Sequence, residues 1–153
     1  MSSIRIGVIS DTHGLLRSDA RLFLQKCDRI IHAGDIDQHR ILQELNQIAP
    51  TTAVRGNMDQ GPWANSLRTA ERIQVDHWSI LVVHNIQDLP PLNGANIVIF
   101  GHSHKFFEET NDGVLYLNPG SAGPKRFSLP ISMAILTLSE KASVEHILLK
   151  NKA

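Results

Sequence analysis

This sequence has few cysteine and aromatic residues and no excess of either charge. Of its 153 residues only Cys27 carries a thiol, which excludes an internal disulfide and fits a reducing compartment. Fifteen basic residues balance fifteen acidic ones, so no global field points to nucleic acid or to an anionic membrane. Aromatic residues make up 5% of the chain, too few for a long nucleic-acid groove of stacking platforms.

Long apolar runs are also missing. None approaches the roughly 20 residues that a membrane helix needs, and the stretch before the first strand-like run is too short and polar for a signal peptide. We therefore expect a cytoplasmic protein without a membrane partner. A length of 153 residues with 42% hydrophobic content predicts one domain, residues 1–153, with one sizeable core. The sequence leaves open whether the protein forms a homo-oligomer.

Polar motifs follow apolar, strand-like runs at six places. The motifs occupy residues 10–14, 32–35, 55–59, 84, 101–104 and 118–121, and they contain the candidate ligands Asp11, His13, Asp35, Asn57, His84, His102 and His104. Because ligands in open α/β sheets bind outside the carboxyl ends of the strands, motifs placed there can converge. Carboxylates, imidazoles and an amide, without thiolates, suit divalent metals that serve hydrolysis rather than a structural zinc site.

Each of these residues, taken alone, has a purely structural interpretation. Asp11 could cap the next helix, Asp35 could be a turn residue, and His84 could be a hydrogen-bonded core histidine. Seven such coincidences at strand ends are needed to explain the whole pattern, which therefore favours a metal site. The glycines that directly precede three of the motif ligands predict sharp turns or close backbone approach; they are Gly34, Gly56 and Gly101. The histidines outside the motifs are predicted to be ordinary surface or core residues; they are His32, His39, His77 and His146.

The predicted elements alternate in the first half of the chain and become mostly strands in the second. Ser18 is predicted to cap a helix over Asp19 to Lys26, and a second helix is predicted over Gln38 to Ile48, ended by Pro50. Seven strand-like runs follow, at residues 70–75, 78–83, 97–100, 105–109, 114–117, 131–138 and 143–149. So many strands with so few helices predict two sheets packed face to face.

The ordered motifs also carry a family resemblance. Asp-x-His, Gly-Asp, Gly-Asn-x-Asp, a strand-terminal His and Gly-His-x-His, in this order, resemble the calcineurin-like metallophosphoesterases. The small, single-domain prokaryotic phosphodiesterase branch also ends in an Asn-Pro-Gly-Ser turn, as residues 118–121 do here. The resemblance runs from about residue 4 to residue 121. It implies an α/β fold, a four-layer αββα sandwich of two mixed β-sheets flanked by helices.

The resemblance further implies a ligand set and an activity. Asp11, His13, Asp35 and His104 would hold one divalent ion, and Asp35, Asn57, His84 and His102 would hold the other, with Asp35 bridging. Catalysis would then rest on Asp35, Asn57, His84 and His102. Manganese is the first metal expected, with nickel, cobalt, zinc, iron or magnesium as alternatives. The implied function is a dinuclear metal-dependent phosphodiesterase for a small diester or nucleotide, acting through a metal-bridging hydroxide.

Some positions depart from the family pattern. Met58 stands where the broad superfamily often has a histidine that helps the leaving group, so no acid catalyst is expected there, while Asp59 is expected to orient the loop. Asn85 follows His84 where glycine is usual. Two prolines, Pro90 and Pro91, argue against a long helix in the short segment between His84 and residue 101.

Several interpretations stay open at this stage. The turn at residues 119–124, followed by Lys125 and Arg126, could bind a phosphate oxygen or only brace the metal loops. Arg55 could reach the mouth of the site or be a solvated charge. The alternative to an enzyme is a non-catalytic interaction scaffold, because one retromer coat subunit resembles this fold, has lost part of its metal set and works through protein contacts.

Overall fold

Ten strands and two α-helices make up the described part of the protein, residues 3–126 and 128–150 of a computed structural model. They are β1 Ile4–Ile9, α1 Ser18–Leu24, β2 Arg29–His32, α2 His39–Ile48, β3 Thr51–Ala53, β4 Ala70–Val75, β5 Trp78–Val83, β6 Ile97–Ile99, β7 Phe107–Asn111, β8 Val114–Asn118, β9 Ser132–Leu138 and β10 Ala142–Leu148. Within these residues no helix combines the length and the apolar character needed to cross a bilayer.

The strands form two mixed five-stranded sheets, in the orders β10-β9-β1-β2-β3 and β4-β5-β6-β8-β7. Strands β1, β2 and β3 run parallel in the first sheet, and β5, β6 and β8 run parallel in the second. The remaining strands join antiparallel at the edges. The predicted α/β fold with two mixed sheets is confirmed.

The main core lies between the two sheets. Alternate residues of each strand point to opposite faces, so Ile6 and Val8 of the first sheet meet Val82, Ile99 and Leu117 of the second, all buried. The outer face of the first sheet is covered by both helices through a second buried cluster. Burial on both faces explains why β1 reads as a nearly continuous apolar run.

The outer face of the second sheet is covered differently. Leu89 and Leu92, from the segment after β5, pack against Val83, Val98 and Phe100. This segment contains only a short 3₁₀ helix, Ile86–Asp88, as its two prolines led us to expect. The sandwich therefore has α-helices in one outer layer and an irregular segment in the other.

Helix α1 and strand β7 differ most from the sequence prediction. Ser18 is the first residue of α1 rather than its cap, and Arg17 at the N-cap makes no capping bond through its side chain. The predicted Ser18 cap is therefore wrong, and α1 ends at Leu24 rather than Lys26. Strand β7 begins two residues later than predicted, because the loop after β6 extends to residue 106.

The parallel strands determine where the polar motifs lie. The loops after β1, β2 and β3 leave one end of the first sheet, and those after β5, β6 and β8 leave the same end of the second. Asp11 N–H donates to the Gly34 carbonyl at 3.0 Å and Gly101 N–H to the His84 carbonyl at 2.9 Å. Across the sheets, Gly101 lies against Ser10 and Asp11. All six motifs thus gather at one end of the sandwich.

Candidate metal centre

Asp11 and Asp35 each accept hydrogen bonds from neighbouring protein groups through one carboxylate oxygen, while the other oxygen faces the histidines. Asp11 Oδ2 accepts hydrogen bonds from Ser10 Oγ at 2.6 Å and from His102 N–H at 3.2 Å. Asp35 Oδ1 accepts from Met58 N–H at 2.8 Å. Asp11 Oδ1 and Asp35 Oδ2 remain available to a ligand at the centre of the motif cluster.

Three imidazoles converge on these two oxygens. His104 Nε2 lies 3.3 Å from Asp11 Oδ1, and His84 Nε2 lies 3.2 Å from Asp35 Oδ2 and 3.9 Å from Asp11 Oδ1. His13 Nε2 is 3.9 Å from each of the two oxygens. Two overlapping sets result, Asp11 with His13 and His104, and Asp11 with Asp35 and His84, each with its donor atoms within 4.8 Å of one another.

Hydrogen bonds fix which nitrogen of two imidazoles faces this centre. His84 Nδ1 is 2.7 Å from the Ala33 carbonyl oxygen, and His13 Nδ1 is 3.1 Å from Asp37 Oδ2. Both partners accept hydrogen bonds, so each Nδ1 carries a proton and each Nε2 faces the centre. Such outer partners are the usual means of orienting a metal-binding histidine.

Two buried atoms at the centre have no hydrogen-bond partner among the described residues, Asp11 Oδ1 and His13 Nε2. Leaving a buried carboxylate oxygen unpaired is unfavourable and rare in native proteins. A divalent cation would satisfy both atoms at once. The donor set of carboxylate oxygens and imidazole nitrogens also matches what manganese, zinc and related ions bind. The residues present therefore fit the predicted metal.

His102 and Asn57 stand at the wall of the site. His102 Nδ1 lies 3.3 Å from His84 Nε2, and the side chain is exposed. Asn57, also exposed, lines with both histidines a cavity of about 410 Å³. The structure thus brings five predicted ligands together at the centre, while these two face the cavity above it.

The loops that carry the ligands adopt an unusual backbone conformation. Six non-glycine residues here have positive φ, between 47° and 73°; they are Asp11, His13, Asp35, Asp37, His102 and His104. This left-handed region is disfavoured for residues with a Cβ and persists only where the surroundings enforce it. A Cβ at Gly56 would collide with Asp35, and one at Gly101 with Ser10 and Asp11. The predicted close approach at both glycines is confirmed.

Asp59 ties two ligand loops together through backbone bonds. Its Oδ2 accepts from Gly56 N–H at 2.8 Å and Asp35 N–H at 3.1 Å. Its Oδ1 accepts from Ile36 N–H and Asp37 N–H, both at 2.8 Å. The carboxylate is buried, so the loop after β3 holds the loop after β2 in place. The expectation that Asp59 orients the loop is confirmed.

Electrostatics keep both central carboxylates ionised. Burial raises the pKa of Asp11, but the His104 imidazole, the His84 charge and the Ser10 hydroxyl more than offset it, so the pKa lies below its ordinary value. Burial also raises the pKa of Asp35, and His84 and the Met58 N–H bring it below the ordinary value. Burial lowers the pKa of His84, yet Asp35 and Asp11 together raise it above the usual range.

His32 supports the site although it belongs to no predicted ligand position. It is fully buried, its Nδ1 accepts from Gly34 N–H at 3.0 Å, and its Nε2 lies 2.9 Å from Thr12 Oγ1. Burial lowers the pKa of His32 to about 3, so the ring is neutral and its Nε2–H donates to Thr12. Of the other unassigned histidines, His39 stacks on Trp63 and His146 on Phe106, and His77 lies tilted against Trp78.

Two further residues that the sequence analysis missed support candidate ligands. Ser10, inside the first motif, donates to the Asp11 carboxylate, and Asp37, two residues after Asp35, accepts from His13 Nδ1. The position of Ser10 beside Asp11 was a signal in the sequence, whereas the contact between Asp37 and His13 joins two loops that only the fold brings together.

The turn after β8 braces the ligand loops. Asn118 Nδ2 donates to the Gly101 carbonyl oxygen at 3.1 Å, and Ser121 Oγ donates to the Asp11 carbonyl oxygen at 3.1 Å. Two N–H groups of the turn are already bonded within the protein, Gly120 to Asn118 Oδ1 and Ala122 to the Ser10 carbonyl oxygen. Of the two interpretations left open by the sequence, these contacts support bracing.

Known proteins share this sequence pattern and fold. The model of the calcineurin-like phosphoesterase superfamily domain matches residues 4–141. The chain is 35% identical to a probable metallophosphoesterase of Methanothermobacter thermautotrophicus, over 93% of this chain and 91% of the relative. It is 27% identical to the phosphodiesterase YfcE of Escherichia coli, over 83% of this chain and 84% of the relative.

Two solved structures show the same fold at lower identity. An archaeal phosphodiesterase superimposes with a TM-score of 0.82 at 24% identity, over 95% of this chain and 100% of the other. Vacuolar protein sorting 29 of Cryptosporidium parvum superimposes with a TM-score of 0.78 at 20% identity, over 96% and 98%.

Proposed function

This chain belongs to the calcineurin-like phosphoesterase superfamily, and we propose that it is a dinuclear metal-dependent phosphodiesterase acting on a small phosphodiester or nucleotide. The observation that carries the proposal is a pair of buried atoms, Asp11 Oδ1 and His13 Nε2, that have no hydrogen-bond partner within residues 3–126 and 128–150 and that lie close to further imidazole nitrogens. The name of the Escherichia coli relative, a phosphodiesterase, supports the diester as the substrate class.

The proposed ligand division is the one that the family resemblance implies, whereas the two converging sets share Asp11. Asp11, His13, Asp35 and His104 would hold one ion, and Asp35, Asn57, His84 and His102 would hold the other. Asp35 Oδ2 lies between His13 of the first set and His84 of the second, which supports Asp35 as the bridge. When bound, two divalent ions would supply a nucleophilic hydroxide near neutral pH and positive charge for the transition state.

The side chains of the protein prepare this chemistry in three ways. Bonds to Ala33 and Asp37 hold His84 and His13 with their Nε2 atoms at the centre. Ionised Asp11 and Asp35 would neutralise only part of the charge of two divalent ions. The positive charge that remains would attract an anionic phosphate. Arg55 lines the cavity above the centre, tethered by Nε to the Asp59 carbonyl oxygen at 3.1 Å. Its guanidinium brings a positive charge to the wall that a phosphate would meet.

Metal analysis tests the proposal directly. Protein reconstituted with Mn(II) and freed of loose ions should hold two ions per chain. It should also hydrolyse bis(p-nitrophenyl) phosphate, and manganese should be compared with nickel, cobalt, zinc and magnesium. Asp28→Asn is the matched control, because Asp28 bonds only backbone away from the site and its loss should leave the metal content unchanged. A saturating content of one ion, or none, would refute the dinuclear proposal.

The scaffold alternative makes a different prediction from the same fold. The likeness to vacuolar protein sorting 29 concerns the fold, and a scaffold requires no complete ligand set. All seven candidate ligands are present in this sequence. A protein that binds metal but hydrolyses neither diesters nor monoesters with any of these ions would favour the scaffold.

A further inference from the structure

A second cavity, of about 460 Å³, lies on the outer face of the second sheet. Its apolar lining comes from Ile86, Phe100, Phe106, Phe107 and Tyr116. Such a volume and a mainly apolar lining with few polar groups are typical of sites for small organic molecules. Phe107 and Ile86 remain 42% and 36% exposed, so the cavity is open to a ligand.

This cavity adjoins the candidate metal centre. Asn85 and His102 line the cavity above the metal ligands, while the next residues in the chain, Ile86 and Ser103, line the apolar cavity. Consecutive Cα atoms are about 3.8 Å apart, so residues 85–86 and 102–103 form a narrow ridge between the two spaces. Ser103 itself stands between the ligands His102 and His104.

The register of the second sheet explains the arrangement. Phe107 of β7 pairs with Asn118 of β8, and Glu109 pairs with Tyr116. Asn118 Nδ2 also donates to Ser103 Oγ at 3.1 Å. Phe107 therefore sits at the end of its strand pair that is closest to the metal loops. The rings of Phe100 and Phe107 are 6.1 Å apart and tilted by 55°, a geometry that aromatic pairs favour.

We propose that this apolar cavity is the subsite for the aromatic group of a phosphate ester that the metal centre binds. The inference rests on the proposed function, because the phosphate position defines where the ring begins. Three observations indicate an aromatic occupant of this cavity: its aromatic walls, its volume, and the ridge that it shares with the cavity above the metal centre. Lys105 and Glu109, which also line this cavity, carry opposite charges, so the aromatic walls rather than a net charge indicate the occupant. A nucleobase and a simple aryl ring share this chemistry.

The experiment measures binding rather than turnover. Calorimetry gives the dissociation constants of phenylphosphonate and methylphosphonate with zinc-loaded protein. We expect phenylphosphonate to bind about tenfold more tightly, which corresponds to burying roughly 55 Å² of ring surface at about 25 cal/mol per Å². Phe107→Ala and Ile86→Ala should reduce the preference to less than threefold. Leu22→Ala is the control, since Leu22 is 61% exposed on α1 and lies outside the cavity.

Further measurements distinguish a nucleobase from a simple aryl ring, and failure of the subsite from failure of the proposed function. Comparing adenosine 5′-monophosphate with ribose 5-phosphate shows whether a nucleobase gains the same preference as a phenyl ring. If wild type hydrolyses diesters but binds both phosphonates equally, the subsite is refuted and the proposed function stands. If the phenyl preference is present and sensitive to Phe107→Ala while no diester is hydrolysed, the proposed function fails and the subsite stands. A preference that survives both cavity variants also refutes the subsite.

Discussion

Asp59→Asn should destabilise the protein although Asp59 is not itself a predicted metal ligand. The buried carboxylate accepts four backbone N–H groups from two loops, at 2.8 to 3.1 Å. An asparagine keeps one acceptor oxygen, which can still serve two of these donors. Its side-chain NH₂ group would face the other two backbone N–H groups, and two donors cannot form a hydrogen bond with each other. The substitution therefore removes two bonds to a charged acceptor.

The magnitude follows from the number of bonds lost. A hydrogen bond to a charged group contributes about 1.5–3 kcal/mol, so two lost bonds predict a loss of about 3–6 kcal/mol in the free energy of unfolding. Total stability of a domain is about 5–15 kcal/mol, so the variant should be markedly less stable. Metal affinity should fall as well, because two of the four donors belong to Asp35 and Asp37.

Urea unfolding of metal-free protein measures the first effect, and titration with Mn(II) measures the second. Asp28→Asn provides the matched control, since Asp28 accepts a backbone N–H from Arg5 at 2.8 Å at the surface. It should lose less than about 1 kcal/mol. A loss for Asp59→Asn as small as that of the control would refute the idea that Asp59 holds the two loops together.

Three other predictions concern the metal ligands, pH and the leaving group. Asp35→Asn should abolish binding of both ions whereas Asn57→Ala should mainly weaken one, which metal content of the purified variants checks; loss of a single ion in Asp35→Asn would exclude a bridging role. The pKa of His32 is depressed from 6.5 to about 3 in the folded protein, so its contribution is complete above pH 6.5 and is lost as pH falls below that value. Metal-free wild type should accordingly lose about 2 kcal/mol more than His32→Asn between pH 7.5 and pH 5, measured by urea unfolding, and equal losses would show that His32 is protonated in the fold. Met58 is half exposed and cannot protonate a departing alkoxide, so Met58→His should raise kcat/KM for alkyl diesters more than for aryl ones, by up to about 10²-fold; an unchanged dependence on the leaving-group pKa would contradict this.

The sequence predicted best those structural features that are determined by residues close together in the chain. The gathering of the candidate ligands at one end of the sandwich could be predicted because each motif follows its own apolar run, and parallel strands bring such ends together. The close approaches at Gly56 and Gly101 followed from the same positions. The lack of a long helix before β6 followed from Pro90 and Pro91, since proline has no N–H to donate.

Contacts between distant segments could not be predicted in this way. Arg17 is buried and donates to the Gly123 and Lys150 carbonyl oxygens, both at 3.0 Å. Those contacts fix where the chain enters α1, so Ser18 falls inside the first turn instead of capping it. His32 looked ordinary because Thr12, the partner of its Nε2, belongs to the loop after β1, twenty residues earlier in the chain. The apolar cavity likewise combines residues from four separate segments.

The backbone of the ligand loops bears on the choice between enzyme and scaffold. Six non-glycine residues hold positive φ around one centre, and each such conformation is unfavourable by about 1–3 kcal/mol. An interaction surface would gain nothing from that strain, nor from a buried Asp11 Oδ1 that has no hydrogen-bond partner in the described part of the chain. A bound cation gains from both, because the strained loops are what aim carboxylate and imidazole atoms at a common point. The strain and the unpartnered atom therefore favour a site kept for metal chemistry.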